Sequence, residues 1–167
     1  RRTMLTSYDD KGNLLGSLKV KDPENYAIDR IISAKPDESG KTLEAVITAF
    51  ATGGFAPAII DIDIESGESS SARFLEKEKG KTLELSAGGM NTYGVSDVYV
   101  AGDYYIPVIY AGSDAVEMGA HAFVFKGSEY KADLDFTGIP SVYVIDGFAY
   151  DSRHKTVLAV GYTRSDG

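Results

Sequence analysis

The stretch AIIDIDIES, residues 58–66, alternates apolar and acidic side chains with a period of two. In an extended chain the isoleucines fall on one face and the carboxylates on the other. A helix would mix both kinds of side chain around its circumference. The pattern therefore predicts a β-strand with one buried face.

The same alternation recurs along the chain, and short polar connectors separate its segments. These connectors mostly contain glycine, as in DDKGN (9–13) and FKGSEY (125–130). They leave no room for helical crossovers, so neighbouring strands are expected to be antiparallel. The sequence thus predicts one all-β domain over residues 1–167, an antiparallel meander of twelve or thirteen short strands. A β-sandwich or a β-barrel of the same strands is the alternative.

The predicted strands are 3–9, 13–20, 26–34, 41–50, 58–66, 71–78, 81–87, 95–102, 105–112, 120–126, 130–136, 141–150 and 156–162.

Composition excludes several classes of function. The net charge is −8, and the lysines near residue 80 alternate with glutamates, so no basic patch for nucleic acid is predicted. The chain has no cysteine, which excludes disulfides and thiolate catalysis. No run reaches the ~18 apolar residues of a membrane span. The compartment stays open, with export favoured over a cytoplasmic location.

Three segments of the chain are alike. YAIDRIISAKPDESGKTLEAVITAF (26–50) and SVYVIDGFAYDSRHKTVLAVGYT (141–163) share Tyr-x-Ile-Asp, a polar turn and a strand that starts Lys-Thr. VSDVYVAGDYYIPVIYAG (95–112) is a shorter version. A more polar hairpin follows at 57–77 and at 120–136, and the chain opens on a hairpin of that second kind. The order is a half unit, two whole units and a half unit.

This order resembles a β-propeller, whose blades are four-stranded antiparallel meanders of roughly 40–50 residues. Many propellers close by joining outer strands at the start of the chain to inner strands at its end. The resemblance implies about three blades here, whereas propeller rings typically have four to eight. It therefore implies that another protein chain completes the open strand edges, in a homo-oligomer or a larger complex. The blade register around residues 78–94 stays open.

The resemblance also implies that the loops between and within blades gather on one face. These include TGGFAP (52–57) and the longer loops 88–97 and 112–121. Polar groups beside an aromatic ring suit a carbohydrate or peptide ligand, and the alternative is that these are merely variable loops. The candidate ligand-binding residues are Asn91, Tyr93, Asp97, Asp114, Glu117 and His121.

Motifs for metals, cofactors and catalysis are weak. The only histidines are His121 and His154, too few for a histidine-rich metal site. The turn YDDKGN (8–13) lacks the ligand spacing of a calcium loop, and the acidic stripe of residues 61–65 is typical of a solvated strand face. No phosphate-binding loop or nucleophile elbow is present. No metal, cofactor or catalytic residue is predicted.

The leading hypothesis is a non-catalytic binding or assembly module that completes its open β edges with another chain and presents a loop face to a ligand. One alternative is a carbohydrate-active enzyme or lectin that uses loops 88–97 and 112–121. Another is a structural subunit of a filament or surface layer. Whether the chain is an enzyme is left open by the sequence.

Overall fold

A computed structural model of the chain describes residues 2–24, 26–51, 54–83, 85, 97–111, 119–136, 139 and 143–163. In these ranges the chain forms fourteen β-strands and no helix, and every strand pairing is antiparallel. The prediction of an all-β antiparallel fold is confirmed. Accordingly, the described part of the chain has no helix long and apolar enough to cross a membrane.

The strands are β1 (Met4–Tyr8), β2 (Leu14–Lys19), β3 (Ala27–Pro36), β4 (Thr42–Ala51), β5 (Gly54–Asp63), β6 (Arg73–Phe74), β7 (Glu76–Glu78), β8 (Lys81–Thr82), β9 (Asp97–Ala101), β10 (Tyr104–Ala111), β11 (Gly119–Lys126), β12 (Glu129–Leu134), β13 (Tyr143–Asp151) and β14 (Thr156–Thr163).

Two four-stranded sheets form the centre of the molecule. Sheet I has the order β3-β4-β5-β6, and sheet II has the order β12-β11-β10-β9. Three two-stranded sheets accompany them: β1–β2, β7–β8 and β13–β14. The hairpins β1–β2 and β13–β14 are called the outer hairpins below.

Sheets I and II pack face to face through one apolar cluster. Val46 and Ile59 of sheet I meet Val98, Tyr105 and Phe125 of sheet II, and all five are buried. Alternation along each strand leaves a second apolar face on each sheet, pointing away from this contact. Each of those faces needs a cover of its own.

The outer hairpins provide that cover. Leu5 of β1 packs beside Val20 against the far face of sheet I, in a cluster that contains Ile47 and Ile60. A third cluster joins the far face of sheet II to the β13–β14 hairpin and is centred on Ile145. The described layers are therefore β1–β2, sheet I, sheet II and β13–β14, in chain order.

The predicted strand bounds differ from the structure in several places, of which three affect the packing of β5 and its neighbours. Residues 54–57, predicted as part of a loop, belong to β5, where Pro57 lies opposite Thr48 and is fully buried. The predicted strand 71–78 is divided into β6 and β7 at Leu75, whose side chain is fully buried and whose N–H donates to the carbonyl of Pro57 at 3.0 Å. Ile64 lies in the turn after β5 rather than in the strand.

Candidate functional site

Four of the six candidate ligand-binding residues belong to loops that the structure does not describe. Asn91, Tyr93, Asp114 and Glu117 lie outside the described residues. Ligand binding by these loops stays a prediction, as does the carbohydrate-active alternative that depends on them.

The two candidates that the structure does place lie apart. The strand register pairs Asp97 with Val108 and His121 with Ile109, the next residue along β10. Successive residues of a strand point to opposite faces, so Asp97 and His121 belong to opposite faces of sheet II. The carboxylate of Asp97 forms an ion pair with Arg30 of sheet I. The structure does not bring these two residues into one site.

His121 is exposed and borders a shallow depression of about 290 Å³ between β11 and β12. The acidic group there, Asp133, already has partners: Lys77 Nζ lies 2.6 Å from one carboxylate oxygen, and the Tyr130 hydroxyl donates to the other at 2.8 Å. The hydrogen bond between Lys77 and Asp133 lowers the pKa of Asp133 and raises the pKa of Lys77. This arrangement keeps Asp133 ionised, so it suits a structural anchor better than a proton donor. The depression is lined by His121, Ala122, Phe123, Asp133, Leu134 and Asp135.

A polar contact crosses the buried interface between sheets I and II. The Tyr105 side chain is 2% exposed, and its hydroxyl donates a hydrogen bond of 2.6 Å to the carboxylate of Glu44. Burial, together with this bond to a carboxylate, raises the pKa of Tyr105. Lys35 Nζ lies 3.5 Å from the same carboxylate. The contact links the two sheets across their apolar interface.

Arg73 lies beside this contact on the same face of sheet I, with its guanidinium 3.9 Å from the carboxylate of Glu44. Its guanidinium donates to both carboxylate oxygens of Asp61, at 2.6 and 3.2 Å. The hydrogen bond to Asp61 raises the pKa of Arg73. Asp61, one of the acids in the alternating stripe of residues 61–65, is thus a partner of arginine in the fold, while its neighbour Asp63 organises a turn. The stripe does not form a cluster of metal ligands.

Four hairpin turns are built around an aspartate: Asp9, Asp37, Asp63 and Asp151. Each carboxylate accepts hydrogen bonds from backbone N–H groups two to five residues later in the chain. These bonds, with side-chain bonds, hold the pKa of all four below the ordinary value of 3.8. Part of the acidic character of the chain therefore serves its turns.

The outer face of the β1–β2 hairpin carries four exposed apolar side chains beside the polar Thr6, Ser17 and Lys19. Met4 is 50% exposed, Tyr8 59%, Leu14 61% and Leu15 68%. The register places Tyr8 directly opposite Leu14, with an irregularity beside them that sets Leu15 out of the pairing. The opposite face, with Leu5, packs on sheet I.

The β13–β14 hairpin has the same character. Leu158 is 49% exposed, Val160 62% and Tyr162 46%, all in β14. Val157 and Phe148 point the other way and pack toward sheet II. Both outer hairpins therefore carry apolar side chains on two faces, of which the described structure covers one. Clustered apolar side chains of this kind mark interaction surfaces more often than isolated ones do.

The edges of these hairpins are unusual within the described part of the chain. Of the fourteen strands, only β4, β5, β10 and β11 have partners on both sides, so ten are edge strands. Eight of the ten contain a charged residue, and β1 (MLTSY) and β14 (TVLAVGYT) contain none. Proteins usually protect edge strands with charges, proline or bulges, because an unprotected edge accepts further strands.

Two glycines fix the outer hairpins at short range. Gly67 has φ +71°, and a Cβ there would overlap the carbonyl oxygen of Lys19 and the side chain of Leu18 in β2. Gly161 in β14 lies so close to the carbonyl of Val144 that a Cβ has no space. Only glycine permits such close backbone approach. Gly67 thus holds β2 close to the turn after β5, and Gly161 holds β14 close to β13 within its own hairpin.

Comparison with protein-family models, with curated proteins and with solved structures found no match to this chain.

The residues of the two exposed faces were not among the predicted site residues. The signal for them is present in the sequence, because Leu14-Leu15 and Leu158-Ala159-Val160 interrupt the strict alternation with apolar residues on both faces. Such interruptions predict a strand that is covered on two sides. The predicted loop-based ligand site does not include them.

Proposed function

We propose that this chain is a non-catalytic assembly module that accepts β-strands from another polypeptide at β1 and at β14. The observation that carries the proposal is that these two alone, among the described edge strands, lack a charged residue. Pairing at such an edge gives main-chain hydrogen bonds, and alternate side chains give specificity.

The exposed apolar faces support the same function. A strand added beside β14 would extend the face that carries Leu158, Val160 and Tyr162, which are about half exposed or more. Packing of a second layer against that face removes apolar surface from water, at roughly 25 cal/mol per Å². Edge pairing and face packing together favour a stable complex over a transient encounter.

We also propose that the sheets are arranged as in a β-propeller. Sheets I and II are four-stranded, whereas the outer hairpins have two strands each. In a propeller-like stack the outer hairpins are halves of blades, and added strands make each of them whole. The loop face and its ligand are a separate prediction that the assembly function does not require.

The accessibility of the outer faces tests the function directly. The chain has no cysteine, so Val160→Cys introduces one thiol that a maleimide can report. The protein is diluted until it is a single copy of 17.9 kDa. We then expect this thiol to react as fast as that of Ser152→Cys, an exposed control in the turn of the same hairpin. A slow reaction at position 160 in the 17.9 kDa species would mean that the chain covers this face itself, and would overturn the proposal.

A further inference from the structure

We infer that the strands added to these edges come from a second copy of this chain, with β14 of one copy paired antiparallel to β1 of the other. The inference rests on the assembly function proposed above and names its partner. The product is a composite four-stranded sheet of order β13-β14-β1-β2. Its strand number equals that of sheets I and II.

The first argument is that each outer hairpin covers only part of the sheet beneath it. The β1–β2 hairpin is fixed near the end of β5 that leads to β6: Lys21 N–H donates to the Gly67 carbonyl at 2.9 Å, and Ser69 Oγ donates to the Lys21 carbonyl at 2.6 Å. Two strands lie there over a sheet of four. On the β3–β4 side of sheet I, Ile28 and Ile47 are buried, so the opening is confined to the part of β3 and β4 beyond them.

The open side of sheet I is apolar. Ile31 and Leu43 lie beside the buried cluster and are only partly buried, and Ala34 is exposed. The register pairs Ala34 with Ala45, which is in the same cluster, so Ala34 shares its face. This side of the sheet is suited to cover by an apolar β layer.

The second outer hairpin leaves a matching surface. It is fixed on sheet II through β9, where the Tyr99 hydroxyl donates to the Ile145 carbonyl at 2.9 Å. On the β11–β12 side of the same face, Leu134 and Ala120 are partly buried and Ala132 is exposed. This surface is apolar as well.

A head-to-tail second copy covers all of these surfaces at once. When β14 of one copy extends the partner's β1–β2 hairpin, its outer face with Val160 and Tyr162 lies over the open β3–β4 side of the partner. The partner's Met4 and Leu14 then lie over the β11–β12 side of the first copy. A single unrelated hairpin would satisfy one edge only, whereas this chain carries both complementary halves.

Two such contacts close a pair. Each copy brings two four-stranded sheets and two outer hairpins, so a closed pair has six four-stranded sheets in addition to β7–β8 of each copy, and six lies within the four to eight blades of propeller rings. Contacts between different patches form a ring where the rotation closes and a filament where it does not. The expected mass is twice 17.9 kDa, about 36 kDa.

Edge-blocking variants test the inference by light scattering coupled to size exclusion. Thr6→Lys and Val160→Lys place a charge on β1 and β14, at side chains that are exposed in the single copy, so the fold should persist. Ser152→Lys adds the same charge to the turn of the β13–β14 hairpin as a control. We expect about 36 kDa for the wild type and for the control, and 17.9 kDa for each edge variant alone.

Mixing the two edge variants gives the decisive result. One copy retains an intact β14 and the other an intact β1, so the mixture should form a mixed pair through one contact, at higher concentration than the wild type needs. Pairing by either variant alone, or failure of the mixture to pair, overturns head-to-tail pairing. A wild-type mass of 17.9 kDa at every concentration overturns the second copy as partner, and a mass far above 36 kDa overturns the closed pair in favour of a filament. The thiol test at position 160 is measured on the single copy and does not depend on which chain the partner is. A reactive thiol with no pairing therefore overturns only this inference, whereas an unreactive thiol overturns the assembly function as well.

Discussion

Replacing Gly67 by alanine should detach the β1–β2 hairpin from sheet I, and Gly40→Ala provides a matched control. Both glycines have a left-handed backbone, with φ +71° and +67°. An alanine at either position therefore incurs about 1–2 kcal/mol of backbone strain. At Gly40 no atom lies within 4 Å of the added Cβ, whereas at Gly67 the Cβ overlaps the main chain of Lys19.

The difference between the two variants measures that overlap. Forcing an added carbon into a packed site costs about 1–3 kcal/mol. At ~2 kcal/mol, the melting temperature of Gly67→Ala should fall about 4–8 °C below that of Gly40→Ala. Thermal unfolding followed by circular dichroism gives the two values, and hydrogen exchange should show loss of protection centred on β1 and β2. Equal melting temperatures would refute the close seating of this hairpin.

Three further predictions concern the sheet contacts. Tyr105→Phe should lower the free energy of unfolding by about 1.5 kcal/mol in urea denaturation, because the bond to Glu44 is lost, whereas Tyr8→Phe at an exposed position should change it by less than about 0.5 kcal/mol. Folding raises the pKa of Tyr105 above 10.0, so its contribution to the free energy of unfolding is complete below pH 10 and is lost as the pH rises above that value. Urea denaturation at pH values from 8 to 11 should therefore show a steeper loss of stability for the wild type than for Tyr105→Phe. Gly161→Ala should lower the free energy of unfolding by about 2 kcal/mol, because its Cβ would overlap the carbonyl of Val144. Gly147→Ala, where the added Cβ meets open space in the same hairpin, should change that free energy by less than about 0.5 kcal/mol. Equal effects in urea denaturation would contradict the close approach in β14.

Local patterns in the sequence were sufficient to predict most strands. Alternation at Ile60 and Ile62 gives the buried face of β5, and the turn sequences around Asp9 and Asp151 give the hairpins that they connect. Such patterns involve residues close together in the sequence, so they predict a strand even when its partner strand is unknown.

Tertiary contacts decided where the prediction failed. Glycine and proline near Pro57 predicted a loop, yet the carbonyl of Pro57 accepts a bond from Leu75, and the missing N–H of proline leaves no buried donor. The same contact buries Leu75 and divides the predicted strand 71–78. The exposed faces, with Leu14 and Val160, could have been noted from the apolar interruptions, but their exposure depends on which layers are present. No pattern in one sequence specifies that.

Residue-resolved hydrogen exchange on β14 is the most direct test of the assembly function. In an antiparallel edge strand every second backbone N–H points to the paired strand and the others point away. In the 17.9 kDa species we predict that alternate amides of β14 exchange rapidly, while those of β10, which is paired on both sides, are protected throughout. Full protection of β14 in that species would show that its edge is already occupied within the chain, and would contradict the proposed function.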